Sequence, residues 1–455
     1  MIEESRPGIP DRGVRFRSPN PNVRPFLNQI FSIRRFTADN ETRHLLPIRE
    51  SHLPKASPQP SASTRKRILF AAGSGDVAQT LERWASEQAD TRIMAQAYSA
   101  QIYTLAHQRN WRLFCFPNNP CQPLRRGQIS VLPFPKPTKQ GLHFFVEEIR
   151  YGYKLARLSK RLHVDLIICA TGMHPLGYLA ASMFSGKPIV ISLHNTLWIR
   201  GQEAPKGLRG IILRNSARFL RKRIARVVAV SDEIRNQVLQ LWKLPPDRVA
   251  VHVPQYELAS MPSSSPSNDL PRRILFAGRV QTHKGIDDIL HAAKILEDDQ
   301  PNTYHWVFAG EGPALANHQA TAQDLGLDHA TTFLGQVDRA TLIQEITKCF
   351  VTITPTRATF NEGLAKLPLE GAILGRPAIV STVVPALDLL EDAAIGVRPS
   401  DPKDIAHAVQ TLHENTDLYL AKCNACNRVR DLVTDETISF RTRIAQAVDA
   451  AINNQ

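Results

Sequence analysis

The chain is 455 residues long, which predicts two globular domains plus extensions. Hydrophobic residues make up 43% of it, enough for ordinary cores, yet no apolar run approaches the roughly 18 residues that span a bilayer. The six cysteines have no framework spacing, and the first residues have neither a basic n-region nor an apolar h-region. We therefore exclude a disulfide-stapled secreted protein and expect a cytoplasmic one.

The formal net charge is +14, and part of this charge lies in residues 1–66. This segment is rich in Arg, Pro, Ser and Asn and has no apolar period, which predicts a disordered basic arm. Aromatic residues do not interleave with its arginines as stacking platforms for bases would require. No nucleic-acid partner is therefore expected.

A first domain is predicted over residues 67–255. The apolar run Arg67–Ala72 predicts a strand, and Gly73 and Gly75 follow in a turn that opens a helix. This G-x-G-x-x-A pattern matches the dinucleotide fingerprint, so a nicotinamide-dependent enzyme is one interpretation. That fingerprint also needs an acidic residue after the second strand. The next predicted strand, Trp111–Phe116, is followed by a proline and two asparagines instead.

Helices and strands continue to alternate through this domain. Helices are predicted around Phe144–Arg161 and from Pro175 to Phe184, and strands at Val164–Ala170 and Lys187–Asn195. His194 lies near the end of the last strand. A lone histidine at such a place is more often structural than catalytic, so context has to decide its role.

A basic amphipathic helix is predicted over Arg209–Arg226. Its apolar residues recur at helical spacing, and its neighbouring face carries Arg214, Arg218, Arg221 and Lys222. A solvated surface is one interpretation. Docking on an anionic membrane is the other, since each cation near such a surface contributes about 1 kcal/mol.

Residues 256–271 are rich in Ser and Pro and read as a linker, after which a second domain is predicted over 272–432. Its first strand ends at Ala277, followed by Gly278-Arg279, a loop, and Lys284-Gly285 at a helix start. Open α/β sheets bind ligands at such strand ends. Two cations at this place suit an anionic group. No D-x-D occurs anywhere in the chain, so a metal-clamped mechanism has no sequence support.

Two glutamates follow the buried strand predicted at Cys349–Pro355. Pro368 is tolerated only in a first helical turn, so a helix is predicted from Leu367 to Gly375. Glu362 then lies in the loop and Glu370 in the first turn. Carboxylates beside an anion site weaken it, so we expect them to accept hydrogen bonds from sugar and ribose hydroxyls instead.

Glu362 and Glu370, with seven residues between them, resemble the Glu-x7-Glu motif of the retaining family-4 glycosyltransferases. The segments Gly278-Arg279-x4-Lys284-Gly285, Gly310-x-Gly312-Pro313 and Gly375-x-Pro377 are similar to that family's motifs as well. The resemblance covers about residues 67–450. It implies the GT-B fold: two Rossmann-like, doubly wound α/β domains facing a cleft, with a C-terminal helix over 433–455 crossing back to the first domain.

The resemblance also assigns roles. Catalysis is expected from Glu362, His194, Arg279 and Lys284. The donor is expected to contact residues of the second domain, namely Arg279, Lys284, Glu362, Gly363, Leu364, Glu370 and Gly310. Gly73 and Gly75 are expected to line the acceptor side. Two departures from the family pattern are Gln255-Tyr256, in place of Asn-Gly, and Thr382–Pro385, in place of a Gly-Gly loop beside the donor.

The sequence therefore predicts a metal-independent, retaining hexosyltransferase without a cofactor. Its partners would be a nucleotide-sugar donor, a glycan or lipid-linked acceptor and, if the basic helix docks, an anionic membrane surface. A nucleotide-sugar epimerase and a catalytically silent sugar-nucleotide binder remain open, besides the nicotinamide-dependent enzyme. The sugar, the base and the acceptor are not specified by these residues.

Overall fold

A computed structural model of the protein describes residues 65–453, with gaps at 74, 89, 137–140, 259, 260 and 262–269. Almost all of the predicted basic arm and most of the predicted linker lie outside the described residues. The described residues form two α/β domains, each built on its own sheet.

The first sheet has eight strands in the spatial order β3-β4-β2-β1-β5-β6-β7-β8. Their bounds are β1 Arg67–Ala71, β2 Arg112–Phe116, β3 Leu124–Arg126, β4 Ile129–Val131, β5 Leu166–Cys169, β6 Ile189–Leu193, β7 Ile224–Ala229 and β8 Val249–Val251. All neighbours pair in parallel except β3 with β4. The strand order reverses between β1 and β5, which creates a crevice at the carboxyl ends of those strands.

Helices cover both faces of this sheet because successive strand residues point to opposite sides. The helices are α1 Val77–Ala85, α2 Tyr98–Gln108, α3 Leu142–Arg161, α4 Pro175–Ser185, α5 Gly207–Leu220 and α6 Asp232–Trp242. In β1, Leu69 packs in a core with Leu155 of α3, whereas Ile68 packs in another with Leu81 of α1.

The second sheet has six parallel strands in the order β11-β10-β9-β12-β13-β14, the 3-2-1-4-5-6 arrangement of a Rossmann fold. Their bounds are β9 Arg272–Ala277, β10 Tyr304–Ala309, β11 Thr331–Gly335, β12 Val351–Thr354, β13 Ala378–Ser381 and β14 Ala394–Val397. The helices are α7 Ile286–Asp299, α8 Leu315–Asp324, α9 Arg339–Lys348, α10 Leu367–Ile373, α11 Ala386–Leu390, α12 Pro402–Glu414 and α13 Thr416–Leu432.

The last helix, α14 (Phe440–Asn453), packs on the first domain, as the family resemblance implies. Its buried stripe includes Phe440, Ile444 and Val448, which join the core that contains Ile68 of β1. Polar contacts reinforce the packing, since Arg443 donates to the Val251 carbonyl at 3.1 Å. The described part of the chain therefore starts in the first domain and returns to it at the end.

One predicted element is wrong at its C-terminal end. The helix expected over Arg209–Arg226 stops at Leu220, and a turn at Arg221–Arg223 leads into β7. Ile224 continues the apolar helical spacing of the sequence, but it is a strand residue that pairs with Ile189 of β6. An apolar residue at the position of Ile224 fits a continued helix as well as a buried strand, so the apolar periodicity alone did not show where the helix ends.

Cys423 and Cys426, which have two residues between them, lie on α13 as buried free thiols and are small core side chains. Among the described residues, no group of three or more His, Cys, Asp or Glu comes together to hold a metal ion. The described helices also include none with the length and apolar character needed to cross a bilayer.

Candidate active site

The predicted donor-side residues gather at the point where the second sheet reverses its strand order. The loops that follow β9 and β12 leave neighbouring strands at their carboxyl ends, one carrying Lys284 and the other Glu362. A short 3-10 turn, Thr282–Lys284, presents the lysine directly before α7. The two loops are the main walls of the candidate site.

Lys284 and Glu362 form an ion pair across these loops, with side-chain exposures of 16% and 12%. Thr356 donates its hydroxyl to Glu362 Oε2 at 3.5 Å. The Lys284 ammonium also lies 4.9 Å from the centroid of the Phe360 ring. The cation and the carboxylate predicted separately from the sequence are therefore direct partners. Arg279, from the same loop as Lys284, is exposed.

Gly285 allows the lysine turn to approach the glutamate loop. Its φ of 77° lies in the left-handed region, which favours glycine. A Cβ at this position would meet the Pro355 carbonyl oxygen at 2.2 Å, which no side chain can tolerate. The glycine after Lys284 is thus required both by its backbone conformation and by the contact between the loops.

Glu370 lies in the first turn of α10 and is 7% exposed. Burial raises the pKa of its carboxyl to about 7, and the Lys366 ammonium, one helical turn earlier, opposes this shift. Tyr256, directly after the first domain, is buried nearby, and burial followed by the charge of Glu370 raises the pKa of its hydroxyl. Glu370 is consequently a carboxyl group that titrates close to neutral pH.

At Gly363, next to Glu362, the backbones of the two domains approach each other closely. A Cβ on Gly363 would lie 1.8 Å from the carbonyl oxygen of His194. Only a glycine allows this approach of the glutamate loop to the end of β6. His194 therefore does reach the loop that carries Glu362, and the group in contact is its backbone carbonyl.

The imidazole of His194 packs against aromatic rings of the first domain and of α14, with centroid distances of 4.6 Å to Tyr98, 5.8 Å to His252 and 6.0 Å to Phe440. Its Nε2 shares a hydrogen bond of 2.9 Å with the Ser192 hydroxyl. Burial, followed by the charge of Lys366, lowers the pKa of His194 to about 4. The ring is therefore neutral near pH 7.

The remaining predicted residues lie around these loops. Leu364 is buried and accepts a hydrogen bond of 3.1 Å from Ala386, which joins the glutamate loop to α11. Gly310 follows β10 and faces the Gly278 carbonyl. Gly73 and Gly75 follow β1 in the first domain, on the crevice beside the end of β5.

Two cations that sequence reasoning missed connect the domains beside this site. Lys366 lies 5.8 Å from the centroid of the Tyr98 ring. Arg200, in the loop after β6, donates to the Val384 carbonyl at 3.1 Å and pairs with Asp388 at 2.5 Å. Both contacts join separate domains, so no local pattern identifies them. Of the two, only Lys366 could have been identified from the sequence, because it lies four residues before Glu370 on the same helical face.

Family comparisons agree with this arrangement of domains. The model described as Glycosyltransferase Family 4 matches residues 95–252, and the model described as Glycosyl transferases group 1 matches residues 260–428. One model thus covers much of each domain. Together with the fold, these matches place the chain among the glycosyltransferases of the GT-B fold.

Individual relatives are distant. The chain is 27% identical over 198 residues to an uncharacterized glycosyltransferase of Methanocaldococcus jannaschii, covering 40% of this chain and 49% of that protein. It is 24% identical over 307 residues to D-inositol 3-phosphate glycosyltransferase of Jonesia denitrificans, covering 60% and 70%. The chain thus spans about half the length of the first relative. Anabaena HepE, solved with UDP and glucose, superposes with a TM-score of 0.58 at 15% identity over 85% of this chain and all of HepE.

The buried Glu370 carboxyl predicts a stability difference that depends on pH. Its pKa is raised in the folded state, so its neutral form stabilises the fold below the unfolded pKa of 4.5, and this contribution is lost as the pH rises through about 7. Glu370→Gln cannot ionise. It should become more stable than the native protein by up to about 3 kcal/mol as the pH rises from about 5 to 8.

Chemical denaturation of both proteins across this pH range measures the difference. Glu203→Gln is the matched control, because its side chain is 77% exposed and should follow the native pH profile. Parallel profiles for Glu370→Gln and the native protein would contradict the raised pKa of Glu370.

Proposed function

We propose that this glycosyltransferase transfers a hexose from a nucleoside-diphosphate sugar to a glycan or a lipid-linked acceptor. Two contacts carry the proposal. Lys284 pairs with Glu362 at the carboxyl ends of the strands of the second domain, and the His194 carbonyl of the first domain lies against Gly363, next to Glu362. A cation, a carboxylate and a carbonyl together suit a ligand with an anionic half and a hydroxyl-rich half. A nucleotide sugar has both halves.

In the proposed complex, the diphosphate is held by Lys284, with Arg279 as a second cation from the same loop. Charge builds on the leaving diphosphate as the glycosidic bond breaks, and positive side chains already in place stabilise it. Because two cations are available, we propose that the leaving group departs without a metal ion. The solved relative HepE contains UDP, which supports a uridine nucleotide as the first donor to test.

Each glutamate takes a different part of the donor in this proposal. Glu362, beside Gly363 and Leu364, accepts hydrogen bonds from the sugar, whose other edge faces the His194 carbonyl. Glu370, buried at the start of α10, accepts hydrogen bonds from the ribose hydroxyls once it is ionised. Gly310 bounds the same pocket from the end of β10. Transfer with retention of configuration is part of the proposal and rests on the resemblance to retaining enzymes.

We place the acceptor against the first domain, beside Gly73 and Gly75, since the crevice between β1 and β5 opens there. The neutral imidazole of His194 lies within an aromatic cluster, so we assign it no proton transfer. Its backbone carbonyl contacts the sugar instead.

An anionic membrane is the proposed docking surface for a lipid-linked acceptor on the cytoplasmic side. Helix α5 and the turn after it carry Arg214, Arg218, Arg221 and Lys222, none of which forms an ion pair with another described residue. On the same helix, Phe219 is 62% exposed and Ile211 is 49% exposed. Basic side chains next to exposed apolar ones suit the headgroup boundary of a bilayer.

The other functions receive less support. A nicotinamide-dependent enzyme needs an acidic side chain at the end of the second strand, and Phe116 of β2 is followed by Pro117 and two asparagines. A silent binder has no need for Lys284 and Glu362 as direct partners. A nucleotide-sugar epimerase would share the donor chemistry, and it differs in requiring no acceptor.

Lys284→Ala should lower turnover by about 10²-fold, because the leaving diphosphate loses roughly 3 kcal/mol of stabilisation. A thermal-shift screen of sugar nucleotides first identifies the donor, and release of nucleoside diphosphate then measures turnover. Lys294→Ala is the matched control, since this lysine pairs with Asp298 on the outer face of α7. Undiminished turnover in Lys284→Ala would remove the lysine from the reaction, and complete loss with EDTA would identify a metal enzyme.

The two glutamates should give different kinetic defects. Glu370→Gln should mainly raise KM, because ribose contacts change little between the ground state and the transition state. Glu362→Gln should mainly lower kcat, because its carboxylate interacts more strongly with the developing positive charge on the sugar. Steady-state kinetics of both variants measure the difference. Reversed defects would place the donor in the opposite orientation, and two silent variants would mean that neither glutamate contacts it.

Reversal of the four charges at Arg214, Arg218, Arg221 and Lys222 to glutamate should abolish binding to anionic vesicles. The expected attraction is electrostatic, so binding of the native protein should weaken as salt rises. Vesicle cosedimentation with anionic and neutral lipid measures this, and circular dichroism checks the fold. Equal binding to both kinds of vesicle would contradict the docking surface.

A further inference from the structure

Arg357 and Asp288 form a second ion pair near the one made by Lys284 and Glu362. Arg357 lies in the loop after β12, five residues before Glu362. Its Nε and Nη2 each lie 2.7 Å from a different carboxylate oxygen of Asp288, in a two-pronged contact. Asp288 belongs to the first turn of α7, which follows Lys284, and its side chain is 8% exposed. The pair thus joins the loop that carries Glu362 to the first turn of the helix that follows Lys284.

Additional contacts extend from this pair into the site. The Arg357 amide donates to the His283 carbonyl at 2.9 Å. The His283 ring stacks on Phe360 with a centroid distance of 4.0 Å and an interplanar angle of 10°. Phe360 in turn lies under the Lys284 ammonium. A continuous chain of contacts therefore runs from Arg357 to Lys284.

Neighbouring charges fix Arg357 in this place. Asp287 lies 3.6 Å from its Nη2, and Asp287 itself pairs with Nδ1 of the buried His318 at 2.7 Å. The hydrogen bonds that Arg357 donates to Asp288, followed by the charges of both aspartates, raise the pKa of Arg357. The planar guanidinium fixes the direction of both hydrogen bonds, whereas a lysine ammonium can make only a point contact.

We propose that Arg357, through Asp288, is a positioning residue that sets the place of Lys284 for binding the donor diphosphate. This inference rests on the proposed function in assigning Lys284 to the diphosphate. Arg357 acts through Lys284, so its effect on nucleotide binding should vanish once Lys284 is gone. A residue that merely supported the fold would weaken binding whether or not Lys284 is present.

A double-mutant cycle on UDP binding tests this, with calorimetry of the full chain, and with GDP and ADP as further probes. Lys284→Ala should weaken binding by about 10- to 100-fold, the range expected for a charged hydrogen bond. Arg357→Lys should weaken it by about tenfold, since the charge stays and the two-pronged geometry is lost. The double variant should bind no more weakly than Lys284→Ala alone.

Matched controls separate positioning from folding. Arg398→Lys changes an exposed arginine paired with Asp401 and Asp404 in the same domain, and it should bind UDP as the native protein does. If Arg357→Lys does not fold, Asp288→Asn takes its place in the cycle, because it keeps the shape and an acceptor oxygen. Native affinity in the single variant, or additive losses in the double variant, would overturn the positioning role.

Failure of the proposed function has a different signature. If the native protein binds none of the three diphosphates, the donor assignment is wrong. The positioning role is then decided by crystal structures of the unliganded native protein and Arg357→Lys. Loss of the Lys284–Glu362 pair and of the His283–Phe360 stack in the variant supports it, and retention of both overturns it.

Discussion

The ion pair between Lys284 and Glu362 is the interaction on which the site depends. The two side chains leave neighbouring parallel strands at the place where the strand order reverses, and both are largely buried. Opposite charges attract more strongly there than at an exposed surface, and removal of either partner leaves the other uncompensated. A cation and a carboxylate fixed side by side suit a substrate that is anionic at one end and hydroxylated at the other.

Close backbone approaches make this pairing possible. Gly285 lets the lysine turn lie against the Pro355 carbonyl, and Gly363 lets the glutamate loop lie against the His194 carbonyl of the other domain. Arg200 and Lys366 add contacts between the domains around the same place. The reactive groups are thus held by backbone contact as well as by charge, and any side chain at either glycine would separate the loops that carry them.

Much of this arrangement was predictable from the sequence, because it depends on local rules. The strand before Glu362 and the proline that opens α10 follow from periodicity and capping, and the return of α14 to the first domain is what the family resemblance implies. The end of α5 could not be predicted in this way, because Ile224 fits the apolar spacing of a helix as well as it fits a buried strand. The burial of Glu370, the contact of His194 through its carbonyl and the pairing of Arg357 with Asp288 come from tertiary packing, which no local pattern encodes.

The most direct test of the account is a crystal structure of the protein with a nucleoside-diphosphate sugar bound. The account predicts diphosphate oxygens within hydrogen-bond distance of Lys284 Nζ, ribose hydroxyls at the Glu370 carboxylate and the sugar between Glu362 and the His194 carbonyl. A nucleotide bound at the Gly73 turn of the first domain, with Lys284 and Glu362 still paired and untouched by ligand, would contradict it.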